Sequence, residues 1–153
     1  MRRLTLALLA GLLLLGGCKA TKSASSVDKT EQPPKEIYIP KDLDDCFAQL
    51  KKLLKPEDIE KMRVGTEDDM TQYHMGLGMW MRNNWGLWGG SRLAAWFNAQ
   101  GINHPDDMSG IILDSFWRYL NGKPIKLDEQ VKYYQGYWKK QETIQPEDSS
   151  DKQ

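Results

Sequence analysis

From Leu43 to Trp138 the apolar residues recur three and four positions apart, and no stretch of useful length alternates as a strand would. That periodicity limits the chain to helix-on-helix packing. Leu43, Cys46, Phe47, Leu50 and Leu54 form the first stripe, with Asp42, Asp44 and Asp45 at its positive end and lysines at its negative end. Pro56 suits the first turn of a short helix through Arg63. Thr66 and Asp69 resemble a capping box opening a helix that carries Met70, Tyr73, Leu77 and Trp80 or Met81. Ser91 reads as the N-cap of a helix through Gln100, with Gly101 as its stop. Pro105, Asp106 and Asp107 begin another, with Met108, Ile112, Phe116, Tyr119 and Leu120 inward and Asn121-Gly122 at its end. Leu127, Val131, Tyr134 and Trp138 mark the last. The expectation is all-α, a single compact domain of five or six short helices.

The first residues read differently. Arg2 and Arg3 precede an apolar run from Leu4 to Leu15, followed by Gly16, Gly17 and Cys18. A basic start, a short apolar core and small residues form the layout of a secretory signal, and the run is too short to span a bilayer, which takes about 20 residues. Leu15-Gly16-Gly17-Cys18 resembles the lipobox of bacterial lipoproteins. That resemblance implies cleavage after residue 17 and a diacylglyceryl group on Cys18, with acyl chains of the palmitate kind as the anchor. The plainer alternative is an ordinary signal with an incidental cysteine. Lys19 instead of Asp after the cysteine resembles the pattern that permits transfer to an outer membrane, where the host has two membranes. The expected location is the bacterial cell envelope.

Residues 18–36 hold no aromatic and a single larger aliphatic, Val27, and end near Pro33-Pro34. Such a segment buries too little apolar surface to offset ordering, so it reads as a tether reaching roughly 20–25 Å if flexible. The helical domain is expected over 37–140 and a polar tail over 141–153.

With 21 basic and 21 acidic residues, of which Arg2 and Arg3 belong to the signal, the mature chain is slightly acidic. Nothing in that balance attracts nucleic acid. Assigning Cys18 to lipid leaves Cys46 alone, so no disulfide is expected. Its place in an apolar stripe makes it a small core hydrophobe rather than a reactive thiol.

Residues 80–92, Trp-Met-Arg-Asn-Asn-Trp-Gly-Leu-Trp-Gly-Gly-Ser-Arg, are the least ordinary part of the chain. Each interior glycine costs a helix about 1 kcal/mol, so the stretch reads as a structured loop between helices. Two readings stand side by side. Trp80, Trp85 and Trp88 could plug the core, with Arg82, Asn83 and Asn84 capping helix ends. Alternatively Arg82, Asn83, Asn84, Trp85, Trp88 and Arg92 form a binding surface, either for a protein partner or for stacking on sugar rings.

The run Ile39-Pro40-Lys41-Asp42-Leu43, then Tyr73-His74-Met75-Gly76-Leu77-Gly78, Arg82-Asn83-Asn84-Trp85-Gly86-Leu87-Trp88 and His104-Pro105-Asp106-Asp107-Met108-Ser109, resembles an uncharacterised bacterial domain family over roughly Ile39 to Pro124. It is a domain of unknown function, so the resemblance implies no established reaction or ligand. Its members tend to be short proteins without other domains, some in toxin–immunity settings.

An enzyme is the least favoured reading. His104 with Asp106 or Asp107, and Ser91 or Ser109 as nucleophile, can be drawn, yet first-turn carboxylates and a cap explain the same residues. Two histidines among scattered acids make a poor metal site. Gly76-x-Gly78 lacks both the third glycine and the preceding strand of a nucleotide loop, so no cofactor is implied. The expectation is therefore a non-enzymatic envelope lipoprotein that binds a protein partner, in an immunity-like role for instance. A carbohydrate or peptidoglycan-fragment binder is the alternative, and a hydrolase comes third.

Overall fold

Caps and prolines set the helix boundaries in the computed structural model, which describes residues 36–144. The signal, Cys18, most of the tether and the end of the tail lie outside the described residues. Helix α1 (Leu43–Leu53) opens where the Asp42 carboxylate accepts from the Asp45 backbone N–H, 2.9 Å away. Its stripe is as read: Leu43, Cys46, Phe47 and Leu50 are buried. Cys46 is fully enclosed, and burial pushes its thiol well above the usual range, so it packs as a hydrophobe. Helix α2 (Pro56–Val64) starts on its proline and buries only Met62.

The expected capping box is present. Asp69 Oδ2 accepts from the Thr66 backbone N–H at 2.8 Å, while Thr66 Oγ1 accepts from the Asp69 N–H at 3.3 Å. What it opens is not one regular helix, however. A 3₁₀ segment (Asp68–Tyr73) passes into a π turn (His74–Gly78) and then into helix α3 (Met79–Asn84). Single π turns inside helices are uncommon and frequently mark functional positions. The Trp/Gly segment is accordingly half helix: residues 80–84 belong to α3, and the irregular part begins at Trp85. Gly86 and Gly90 there adopt φ of 65° and 74°, where a side chain would be strained.

Ser91 caps helix α4 (Arg92–Ala99), its hydroxyl accepting from Ala94 N–H. Helix α5 (Pro105–Leu120) is the hub, packed against α1, α2, α3, α4, the 3₁₀ segment and the π turn. It buries Met108, Ile111, Ile112, Leu113, Phe116 and Trp117. Tyr119, expected inward, is 43 % exposed; it lies at the edge of the core, its ring stacked on Phe47 at 4.9 Å. Helix α6 (Leu127–Ile144) runs past the expected end of the domain at residue 140. The result is a single all-α domain of six helices, with no strand among the described residues. No helix among those residues is long and apolar enough to cross a membrane.

Candidate functional site

The π turn and the start of α5 bring together the two histidines, which are thirty positions apart in sequence. His104 is the N-cap of α5: its Nδ1 accepts from the Asp106 N–H at 3.2 Å. The Asp106 carboxylate then stands between both rings, with His74 Nε2 3.8 Å from Oδ1 and His104 Nδ1 3.8 Å from Oδ2. Behind them lies Arg82, only 4 % exposed. A buried guanidinium must be paired and hydrogen-bonded. It has the Asp106 carboxylate at 2.9 Å from Nε, and donates to Ser109 Oγ at 2.8 Å and to the His74 carbonyl at 3.4 Å. Room for it comes from Gly78, where a Cβ would stand 3.2 Å from the guanidinium.

Helix α6 builds the opposite wall. Trp138 Nε1 donates to Asp107 Oδ2 at 2.6 Å, and its ring lies 5.3 Å from that of His104. Burial raises the Asp107 carboxyl above its usual range, while the Trp138 hydrogen bond pulls the other way. Trp88 also meets His104 edge-on at 6.2 Å, so two indoles pack against the imidazole. A hollow of about 320 Å³ is lined by both histidines, both aspartates, three tyrosines and Trp138. A larger one of about 580 Å³, reaching Asn103, Gln135 and Lys139, shares His104, Asp107 and Trp138 with it. Together they form a groove with aromatic walls and a polar floor. Its size falls in the range of small-ligand sites, about 300–1,000 Å³.

The six residues singled out from sequence do not form one surface. Trp88 is 60 % exposed at the edge of the groove, whereas Trp85 is 1 % exposed and belongs to the core, its ring edge-on to Trp80 at 5.9 Å. Arg82 is no surface anchor but the buried support of Asp106. Asn84 donates from its amide to the Trp80 carbonyl, tying α3 internally, and Asn83 is exposed. Arg92 points away to the N-terminal segment, where Nε donates to the Ile39 carbonyl at 2.8 Å and the guanidinium lies over the Tyr38 ring at 4.8 Å. Core plugging and surface display thus divide the segment between them. Sequence reasoning missed Tyr133, Tyr134, Tyr137 and Trp138 as wall residues: Tyr134 and Trp138 carry only the helical period of α6, and Tyr133 and Tyr137 lie off that stripe.

The catalytic arrangement drawn from sequence is not assembled. Ser109 Oγ is fully buried, accepting from Arg82 and donating to the Asp106 carbonyl, and Ser91 Oγ is occupied as a cap. Among the described residues, no group of three or more histidines, cysteines and carboxylates could hold a metal ion.

Residues 39–120 match the family described as domain of unknown function DUF6794. The chain belongs to this family. The match takes in the polar floor, His74, Arg82, His104 and Asp106, together with Trp88. Helix α6, which supplies the aromatic wall, lies beyond the matched residues of the DUF6794 domain. No curated protein and no solved structure matches the chain.

Proposed function

We propose that this chain is a lipid-anchored, non-catalytic binding module of the bacterial envelope, and that its ligand is a glycan held in the groove beside His104. The observation that carries this reading is the half-exposed Asp106 carboxylate, fixed by buried Arg82 between two histidines, one of which, His104, packs on the Trp138 ring. A sugar ring has an apolar C–H face that stacks on indole and a rim of hydroxyls that pairs with carboxylate and imidazole. An aromatic wall over a polar floor offers both. The protein-partner reading draws support from one observation, the 60 % exposure of Trp88 on a loop rich in glycine. Exposed tryptophan is a frequent anchor of protein interfaces. In either case Trp85 and Arg82 act through the fold and not by contact.

The test is a titration of the detergent-solubilised full-length chain with β-1,4-linked N-acetylglucosamine oligosaccharides, read by calorimetry and tryptophan fluorescence. Saturable binding that Trp138→Ala abolishes and Trp88→Ala weakens is expected. Absence of saturable binding, alongside crosslinking of Trp88 to an envelope protein, would transfer the site to a protein partner. The anchor is tested separately, by mass spectrometry of the mature N-terminus, which should begin at a lipid-bearing Cys18.

A further inference from the structure

A separate hollow of about 220 Å³ shares Tyr133 and Tyr134 with the groove and is otherwise lined by Asp114, Arg118, Glu129 and Gln130. Its polar groups are out of balance. Gln130 is 8 % exposed, and its amide nitrogen donates to Ser115 Oγ at 3.0 Å and to the Ile125 carbonyl at 2.8 Å. The other end of the amide, Oε1, is buried with no partner. A buried acceptor without a donor bears the full cost of its desolvation, about 1–3 kcal/mol. Asp114, on α5, makes no hydrogen bond; around it are the charges of Glu67, Asp68 and Arg118. That arginine is already engaged, by the Glu67 carboxylate and by the Ile125 carbonyl at 2.6 Å. Glu129 is held by Lys126 at 3.0 Å. The hollow is therefore rich in acceptors: its arginine is engaged, and its uncommitted donors are the Tyr133 and Tyr134 hydroxyls. Tyr133 and Tyr134 meet at 82° with centroids 5.2 Å apart, forming an aromatic corner.

Acceptors, an unpaired carboxylate and an aromatic corner share one complementary chemistry, a compact cation carrying only donors. We propose that the Asp114–Gln130 hollow is a binding site for an alkylammonium or guanidinium group. The ammonium sits against Asp114 and supplies the missing donor to Gln130 Oε1, while its alkyl stem lies on the tyrosine rings. Anions are turned away by Asp114 and Glu129. A neutral alcohol brings a donor but gains nothing from the carboxylate.

Burial, together with the neighbouring Glu67 and Asp68 carboxylates and against Arg118, pushes Asp114 up to about 6. Glu67 and Asp68 face it from the N-cap and first residue of the 3₁₀ segment, Arg118 from its own helix, and Glu129, Tyr133 and Tyr134 from α6. Since the ionised carboxylate is the binding form, affinity falls as pH drops through that value, by about tenfold between pH 7.5 and pH 5. A bound cation must reciprocally lower the Asp114 titration midpoint.

The experiment is an NMR titration of the full-length chain with n-butylammonium chloride, with n-butanol and sodium chloride as matched controls. Saturable shifts of the Gln130 side-chain amide, a fall in the Asp114 carboxyl midpoint, and weakening of about tenfold or more in Asp114→Asn are expected. Equal shifts with n-butanol or sodium chloride, no saturation at tens of millimolar, or unchanged affinity in Asp114→Asn would each overturn the proposal. The wild-type titration stands whether or not the variant folds.

Discussion

Helices α5 and α6 lie side by side and are close in length, 16 and 18 residues, yet they are held in opposite ways. Most of α5 is buried, and it lies at the centre of the core. On α6 the one buried residue is polar, Gln130, while Leu127, Val131 and Tyr134 are only partly covered. It is held largely by individual polar contacts: Trp138 to Asp107, Gln130 to Ser115, and Gln135 to the Gln100 carbonyl at 3.4 Å. Both proposed sites lie between these two helices. A fixed floor and a lightly held wall allow a site to retain its charge geometry while its width adapts.

The contrast can be broken most forcefully from the α5 side. Phe116→Ala should cost about 3–5 kcal/mol in urea denaturation, the range for truncating a fully buried aromatic. A loss under 1 kcal/mol would mean that α5 is not the hub. Gly110→Ala probes the seam itself. A Cβ there would stand 2.5 Å from the Tyr134 hydroxyl, so the Tyr134 ring or α6 with it must move, at about 1–3 kcal/mol. Tyr134→Phe added to Gly110→Ala should restore most of that loss and return the groove-facing resonances of Trp138 to their wild-type positions. A single variant as stable as wild type would show that α6 does not seat on Gly110.

Asp114→Asn should act in the opposite direction and less strongly. With the folded carboxyl at about 6, above its ordinary value of 3.8, the native state holds the proton more tightly than the unfolded chain. This group's contribution therefore declines as pH rises from 3.8 to about 6, and it opposes folding at neutral pH. Asparagine should add roughly 1 kcal/mol at pH 7, after allowing for solvent screening, and nothing at pH 3.5. Denaturation midpoints at the two pH values check this. The smallest effect belongs to Tyr137→Ala on the exposed wall, which should leave stability within about 0.5 kcal/mol and yet weaken glycan binding. A destabilisation above 2 kcal/mol would place Tyr137 in the core, against the contrast drawn here.

Local chemistry was legible in the sequence because it acts over three or four residues. Asp42, Ser91 and the Thr66–Asp69 pair cap as their types require, and the stripe through Cys46 and Phe47 is inward as spaced. His104 is the cap it resembled. The convergence of His74 with His104 was not readable, since it depends on how the π turn sets the 3₁₀ segment against α5. Neither reading of Arg82, helix-end cap or binding surface, anticipates a buried support, because an arginine followed by two asparagines carries no sign of burial. The available signal was Gly78, one turn earlier, whose missing side chain clears the guanidinium. Trp85 and Trp88 have the same side chain and nearly the same neighbours. Only the turn at Gly86, which no spacing rule supplies, sends one inward and the other to the groove.

The Arg92 guanidinium on the Ile39 carbonyl has a mechanical consequence. A pull on the chain at Glu36 runs along the extended segment to Ile39, where it divides between the backbone leading into α1 and, through that bond, the first residue of α4. Arg92 directly follows Ser91, whose backbone N–H is bonded to the Gly86 carbonyl of the turn that carries Trp88. One branch of the load path from the N-terminal segment therefore leads to the turn that carries Trp88, beside the groove proposed to hold the ligand.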